Sequence, residues 1–244
     1  MELKELKPIR TEGQQPYGQP YDIAQDAAVA TADAQRVLRN TYLMLAVTMV
    51  PTAIGAAVGI QFAPVMMASP IITFVVMLAS VIGLQFGIVR YRNSGVGIAL
   101  LLAMTFLMGV FLGPLLNVAL SMRNGAQLVG YAALGTGAIF LAMGALAQTI
   151  KRDLAFMGKF LFVGMIALLI AIVANMFLQI PALALTISTL VIVVFSLYLV
   201  YDLQRIVRGG ETNYVLATTG VYISLLNIFS SLLHLLMAFS GERE

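Results

Sequence analysis

Hydrophobic residues in this chain are collected into seven long runs, separated by short polar stretches. The runs cover residues 41–60, 69–89, 96–120, 128–149, 160–178, 183–201 and 216–239. Each run has about twenty residues, which is the length that an α-helix needs to cross the hydrocarbon core of a bilayer. A helix also satisfies its backbone hydrogen bonds internally, as lipid requires. The pattern therefore predicts an all-α, polytopic membrane bundle of seven transmembrane helices.

Helix-breaking residues mark the ends of several runs. Pro70 opens the second run, an Asn-Ser-Gly segment at 93–95 precedes the third, and Pro181 precedes the sixth. The shortest connection lies at 179–182. It predicts that runs five and six form an antiparallel hairpin.

The first forty residues differ from the rest because they are polar, and Gly and Pro interrupt them between positions 13 and 20. We expect residues 1–40 to form a cytoplasmic, mostly disordered tail. The alternative for the Ala-rich stretch at 22–40 is a helix that leads into the membrane. Residues 41–239 then form the transmembrane domain, and residues 240–244 form a short non-cytoplasmic tail.

The fourteen Lys and Arg residues are spread unevenly over the connections between the runs. With the N-terminus in the cytoplasm, twelve of the fourteen lie in cytoplasmic segments, and only Arg123 and Arg243 lie outside. Cytoplasmic loops of membrane proteins carry an excess of basic residues. The distribution predicts a cytoplasmic N-terminus, a C-terminus on the other side and an odd number of spans.

The composition of the chain excludes several classes of function. The chain is 60% hydrophobic and 10% charged, with a mean hydropathy of +0.94, whereas soluble domains carry roughly 25% charged residues. A soluble enzyme is therefore excluded. The net charge of +3 comes from loop residues that form no basic stripe, so we expect no nucleic-acid partner. The absence of cysteine excludes disulfides and thiolate sites, and no motif indicates a cofactor.

Asp202 ends the sixth run with no loop between the apolar residues and the carboxylate. An acidic residue at membrane depth is costly and indicates function by default. Alternatively, Asp202 lies in headgroup water, where Arg205 is three residues away and within reach of an ion pair. The sequence leaves both interpretations open.

The seventh run carries a stripe of small and polar residues, which fall within an arc of roughly 80° at about 100° per residue. Its members are Gly220, Ser224, Asn227, Ser231 and His234. Such a stripe should face protein or water rather than lipid, so we expect this helix in the interior of the bundle. The stripe serves either helix packing or a polar pathway.

His234 is the only histidine. Because there is no second histidine to share a metal ion, it does not indicate a metal site. Ser231 lies three residues before it, but nothing supplies the orienting group and oxyanion site that a hydrolase needs. We therefore expect neither catalytic residues nor enzyme activity.

The third run contains Gly109 and Gly113 in a GxxxG spacing, followed by Pro114. This spacing lets two helix backbones approach closely, and proline interrupts the helical hydrogen bonds. We expect a close helix contact and a kink at this place.

Several segments of the chain, in the same order, resemble the Bax inhibitor-1 family, also called the transmembrane Bax inhibitor motif family. The resemblance covers residues 37–239 and points to its bacterial, YccA-like branch. Matching segments lie at 39–42, 112–117 and 173–183. The strongest are Gly-Gly-Glu-Thr-Asn-Tyr at 209–214 and Tyr-Ile-Ser-Leu-Leu-Asn-Ile-Phe at 222–229.

The resemblance implies a bundle of six helices around a central seventh. It also implies two functional themes. One, for the YccA-like branch, is modulation of the membrane-anchored ATP-dependent protease FtsH. The other is a pH-sensitive calcium leak controlled by two facing aspartates and a basic latch.

The resemblance puts the first aspartate at Asp202 and the second position at Ser224. Two close carboxylates share a proton because both cannot ionise cheaply together, so serine at 224 removes this pH sensor. It also removes a hard oxygen ligand, and calcium needs several. The latch base falls on Arg90, with Arg92 as the other candidate, and we expect Arg90 to pair with Asp202.

The leading expectation is thus a bacterial inner-membrane protein, embedded in the lipid bilayer, that contacts and inhibits FtsH. The alternative is a leak channel of the same family, with calcium as its ligand. Serine at position 224 favours the first.

Overall fold

The structure is a computed structural model that describes residues 20–150, 154 and 156–241, with only the backbone for residues 20–30. Within these residues the chain forms seven helices, each long and apolar enough to cross a membrane. They are α1 (Pro20–Ala68), α2 (Pro70–Tyr91), α3 (Gly95–Ser121), α4 (Gly125–Thr149), α5 (Met157–Leu178), α6 (Pro181–Val207) and α7 (Tyr214–Gly241). The predicted all-α bundle of seven transmembrane helices is confirmed.

Each helix contains the hydrophobic run that predicted it, except that Ser69 of the second run directly precedes α2. The predicted breakers lie at helix ends. Pro70 and Pro181 stand at the starts of α2 and α6, where a missing N–H costs no helical hydrogen bond. Between α5 and α6, Gln179 takes a left-handed conformation with φ 51°. The Asn175 side chain accepts a hydrogen bond from Ile180 N at 3.1 Å, and the two helices pack as the expected hairpin.

The first helix begins much earlier than its hydrophobic run. α1 has 49 residues, about 74 Å at 1.5 Å per residue, whereas the hydrocarbon core is about 30 Å thick. Residues 20–40 were expected to be mostly disordered and are instead helical, which corrects that part of the prediction. Their alanines favour helix, so the lead-in helix is the alternative that holds. Residues 1–19 lie outside the described residues.

Helix α7 occupies the centre of the bundle. It packs against α1, α2, α3, α4 and α6, while α5 packs against the outer side of α6. The ring around the central helix is therefore uneven, because α6 separates α5 from α7. Buried apolar residues such as Leu199, Leu203, Val221 and Ile228 fill the interface between α6 and α7. α7 is thus lined by protein along its length.

The closest helix pair is α1 and α3, which meet along four glycines. Gly55 and Gly59 of α1 oppose Gly109 and Gly113 of α3. A Cβ atom added at Gly109 would stand 2.2 Å from the Thr52 carbonyl oxygen, and one at Gly59 would stand 2.1 Å from the Val110 carbonyl oxygen. Only glycine permits this backbone approach, so the predicted GxxxG contact is present. We call these four residues the glycine seam.

Candidate functional site

The polar stripe of α7 lies inside the bundle. Ser224 and Ser231 are buried, with 2% and 8% of their surface accessible, and Gly220, Asn227 and His234 are half-buried. Asn227 donates a hydrogen bond to the Ile223 carbonyl at 2.8 Å. The hydroxyls of Ser224 and Ser231 make no hydrogen bond with any residue that the structure describes. Among the described residues, the fully buried side-chain polar atom without a hydrogen-bond partner is Gln85 Oε1, so the hydroxyl oxygens of Ser224 and Ser231 keep some accessible surface and can bind water.

Asp202 lies against the central helix at the position of Gly220. It is half-buried, and it stands inside α6 rather than beyond its end. A Cβ atom added at Gly220 would come within 2.7 Å of Asp202 Oδ2, so the carboxyl group packs directly on the backbone of α7. Ser224 follows Gly220 by one helical turn on the same side of α7. Asp202 therefore lies at the level of Gly220, one helical turn from Ser224 along α7.

The ion pairs expected for Asp202 are not formed. Arg205, three residues on, pairs with Glu211 at 3.4 Å and lies over the Tyr201 ring at 5.7 Å. Asp202 makes neither a hydrogen bond nor an ion pair with any described residue. Its carboxyl group is held by packing alone.

Arg90 does not reach Asp202 in this conformation. It is exposed in the last turn of α2, with its guanidinium 5.9 Å from the centre of the Tyr91 ring. α2 packs mainly against α3 and touches α7 only slightly, which leaves Arg90 on the outside of the bundle. The expected ion pair between Arg90 and Asp202 is therefore not formed, and a latch role for Arg90 stays a prediction.

The turn between α6 and α7 joins three helix ends. Asn213 Oδ1 accepts hydrogen bonds from the backbone N–H groups of Val215 and Leu216 at 3.0 and 3.1 Å, which caps α7. Its Nδ2 donates to the Arg92 carbonyl at 3.0 Å and to Asn93 Oδ1 at 2.8 Å. One asparagine thus fixes the start of α7 to the connection between α2 and α3. The Gly-Gly-Glu-Thr-Asn-Tyr motif marked this place, but no pattern in it singled out the asparagine.

Gln204 holds the connection between α4 and α5 to the end of α6. Its side chain is buried, accepts a hydrogen bond from Leu154 N at 3.0 Å and donates to the Ile150 carbonyl at 3.2 Å. Arg208 donates to the same carbonyl at 3.2 Å. The last two turns of α6 therefore organise the end of the bundle where Asp202 lies.

Tyr222 links the central helix to the glycine seam. It is buried, with 1% of its surface accessible. Its hydroxyl lies 2.8 Å from Thr52 Oγ1 of α1 and 3.2 Å from the Thr105 carbonyl of α3. Sequence reasoning missed this contact because nothing in the chain pairs positions 52, 105 and 222.

His234 bonds to Ser188 of α6 rather than to Ser231. Its Nδ1 lies 2.8 Å from Ser188 Oγ, and Ser188 Oγ donates to the Ala184 carbonyl at 3.0 Å. The tautomer of His234 decides which of the two atoms is the donor. Ser188 belongs to α6 and His234 to α7. The contact is therefore a helix-to-helix bond.

The candidate site is thus the α6–α7 interface, from Asp202 and Gly220 at one end to Ser188 and His234 at the other. Among the described residues, no group of three or more His, Cys, Asp or Glu side chains is arranged to hold a metal ion.

Comparison with known proteins agrees with the resemblance found in the sequence. Residues 34–241 match the family described as "Inhibitor of apoptosis-promoting Bax1". The chain belongs to the Bax inhibitor-1 family. The matched residues include all seven apolar runs, as well as Asp202, Gly220 and Asn213. The match therefore extends over the whole bundle.

Bacterial members of the Bax inhibitor-1 family align with most of this chain. An uncharacterized protein of Neisseria meningitidis serogroup A is 41% identical over 221 residues, which cover 89% of this chain and 97% of the relative. An uncharacterized membrane protein of Vibrio cholerae is 40% identical over 210 residues, covering 84% and 91%. The Escherichia coli K12 protein named "Modulator of FtsH protease YccA" is 39% identical over 201 residues, covering 82% and 89%. The chain is therefore similar to YccA over most of its length.

Proposed function

We propose that this protein is a non-enzymatic, multi-pass inner-membrane modulator of FtsH that binds the protease directly and inhibits it. The observation that carries this proposal is the 39% identity to the E. coli modulator of FtsH, over 82% of this chain. A second E. coli relative, from strain CFT073, is named "Inner membrane protein YccA" at the same identity, which supports the location.

The shape of α1 supports a physical route to inhibition. Ala34 is buried, residues 31–33 before it are exposed, and α1 continues as a helix back to Pro20. These fourteen or so residues extend roughly 20 Å at 1.5 Å per residue. Residues 1–19 precede this extension in sequence. They provide an end that a membrane-anchored protease near the bilayer can engage.

The bundle supplies the resistance to extraction. Six of the seven described helices carry several exposed apolar side chains, and α7 is buried among them except near its end, where Phe239 is exposed. Removing any span from lipid exposes its apolar surface and backbone to water at high cost. A partner that is engaged by its end but resists extraction occupies the protease. In this proposal the N-terminal segment is the handle and the bundle is the brake.

The proposal requires the N-terminus to lie in the cytoplasm, as the distribution of Lys and Arg predicts. A reporter fused after residue 244 should be active only outside the cytoplasm. A reporter inserted between positions 151 and 159 should be active only inside. A C-terminal reporter that is active in the cytoplasm would overturn the orientation, and with it the handle.

Deletion of the N-terminal segment tests the proposal. Removing residues 1–19 leaves α1 whole, whereas removing residues 1–30 also shortens its extension. Both truncated proteins should insert and fold, because Arg36 and Arg39 still fix the orientation. Both should co-purify less with a proteolytically inactive FtsH, and both should lose the ability to slow the degradation of another substrate. If the chain without residues 1–30 inhibits as well as the full chain, the contact lies in the membrane and the handle is wrong.

A cation leak is the second candidate, and one observation favours it. The unpaired Asp202 carboxyl group stands inside a transmembrane helix, packed against Gly220 of the central helix, and polar groups at this depth mark ion paths in many membrane proteins. Calcium flux into liposomes containing the purified protein tests it. Flux that the Asp202→Asn variant abolishes would support the leak, and the absence of flux over a range of pH would remove it.

A further inference from the structure

A crevice separates α1 from α4 over one half of the membrane domain. It has a volume of about 580 Å³. Tyr42 and Met49 of α1 and Phe140 and Leu141 of α4 form its sides, and Leu225 of the central helix lies at its base. The two helices do not pack together along their length. Tyr42 and Phe140 bridge them with an edge-to-face ring contact at 5.7 Å.

Small side chains create the crevice. Ala46 of α1 and Gly144 and Ala145 of α4 line it, at positions where larger residues would close the gap. A Cβ atom added at Gly144 would meet nothing closer than 3.9 Å. The gap is therefore a feature of this sequence rather than a consequence of backbone geometry.

The crevice opens towards the lipid. Leu141 is 73% exposed and Met49 is 43% exposed, and in a transmembrane bundle such exposed apolar residues face the hydrocarbon. Water is disfavoured in a gap with so few polar partners, and an empty gap loses the dispersion contacts of its walls. The acyl chains of the surrounding lipid are the material available to fill the gap.

Size distinguishes a lipid chain from a helix. The rings of Tyr42 and Phe140 meet across the gap with their centres 5.7 Å apart, so a helix about 10 Å across cannot enter between α1 and α4 there. A single extended acyl chain is narrower and flexible, and it can follow the gap from the Leu225 level to its polar end. The dimensions therefore favour one acyl chain over a transmembrane helix of another protein.

The end of the crevice nearer to the start of α1 is polar and basic. The Tyr42 hydroxyl and the Gln148 amide lie there, and the Gln148 Nε2 bond to the Gly144 carbonyl is long, at 3.4 Å. Arg39 lies one turn before Tyr42 on the same side of α1, is exposed, and forms no ion pair with a described residue. A guanidinium at this level complements a lipid phosphate.

We propose that this crevice binds one anionic phospholipid, with an acyl chain between α1 and α4 and the phosphate group at Arg39. The bound lipid completes the surface of the bundle where α1 and α4 separate. The site is independent of any contact with a protease.

Tryptophan fluorescence tests the site, because the chain has no tryptophan of its own. The Leu141→Trp variant reports on the crevice. The Leu134→Trp variant is its control, since Leu134 lies two turns earlier on α4 and is equally exposed, at 72%. Each variant is reconstituted in phosphatidylcholine with increasing fractions of phosphatidylglycerol or phosphatidylcholine carrying brominated chains, which quench the fluorescence on contact.

Quenching of the Leu141→Trp variant should saturate at a low fraction of brominated phosphatidylglycerol. Its preference over brominated phosphatidylcholine should be about five-fold, which corresponds to the ~1 kcal/mol that one basic residue gains near anionic lipid. The Leu134→Trp variant should be quenched in proportion to lipid fraction, without preference. Adding Arg39→Gln to Leu141→Trp should remove the preference, and adding Ala145→Phe should remove the saturable part.

Three results would overturn the proposal. They are equal quenching curves for the two tryptophan positions, a preference that survives Arg39→Gln, and a Leu141→Trp variant that neither lipid quenches, which would mean that protein covers the crevice. Native mass spectrometry of the unmodified chain provides a measurement that needs no tryptophan. One phosphatidylglycerol should remain bound after detergent washing, and the Arg39→Gln protein should lose it.

Discussion

The glycine seam between α1 and α3 supports the sharpest prediction about stability. Gly109 is buried in the middle of α3, and a Cβ atom there would stand 2.2 Å from the Thr52 carbonyl oxygen and 3.0 Å from Ala56 N. Ordinary contact begins near 3.4 Å, so Gly109→Ala forces the two helices apart by roughly 1.2 Å, the difference of these two distances. Both opposing atoms belong to the backbone and cannot rotate away.

The magnitude follows from two opposing effects. Overpacking costs about 1–3 kcal/mol, and a backbone contact belongs at the upper end of that range. Alanine gains about 1 kcal/mol over glycine in a helix interior. We therefore expect Gly109→Ala to lower the free energy of unfolding by about 2 kcal/mol. The loss matters more in lipid than in water, because packing rather than the hydrophobic effect holds transmembrane helices together.

Gly137→Ala on α4 is the matched control. Gly137 also lies within a transmembrane helix, but a Cβ atom there would meet nothing within 4 Å, so this variant should be stabilised by up to ~1 kcal/mol. Unfolding in mixed micelles with increasing SDS, together with thermal denaturation, measures both variants. Shifts of opposite sign are expected. If the two variants change stability in the same direction by similar amounts, the α1–α3 contact is not as close as described.

Three further predictions concern the end of the bundle and the central helix, each read by thermal denaturation in detergent. Glu211→Gln should lower stability by up to ~1 kcal/mol, because it removes a partly exposed ion pair. Asp202→Asn should not lower stability, because it removes an unpaired half-buried charge. A larger loss for Asp202→Asn than for Glu211→Gln would mean that the Asp202 carboxyl group forms an ion pair after all. Gln204→Leu should cost about 1–3 kcal/mol, since it leaves the buried Leu154 N–H without a partner, and no loss would mean that water replaces the amide. Tyr222→Phe should cost about 1 kcal/mol, whereas Tyr131→Phe, at a position 59% exposed, should change nothing; equal effects would argue against the hydrogen bonds across three helices.

The sequence was sufficient for the number and places of the helices because lipid imposes a simple rule on each of them. A run of about twenty apolar residues can only be a helix in a bilayer, and Pro70 and Pro181 defined two starts. The same rule says nothing about the polar part of α1. There the structure found helix where disorder was expected, because helix propensity rather than hydrophobicity decides outside the membrane.

Only part of the candidate site could be predicted from the sequence. The stripe on α7 could be found because its residues share one helical face, and Asp202 because it interrupts an apolar run. The contact of Asp202 with Gly220 depends on how α6 and α7 are rotated against each other, which no pattern within one helix reveals. The same holds for Gln204 and Tyr222, whose partners lie on other helices. The Arg90–Asp202 pair failed for this reason, since α2 places its last turn on the outside.

Inhibition of FtsH by this protein is measured by the rate at which the protease degrades another membrane substrate. Purified FtsH, ATP and that substrate are combined in proteoliposomes, with and without the full-length chain at increasing ratios. We expect the degradation rate to fall as the amount of the full-length chain increases, and to fall much less with the chain that lacks residues 1–30. A rate that stays constant over a large excess of the full-length chain would contradict the proposed function.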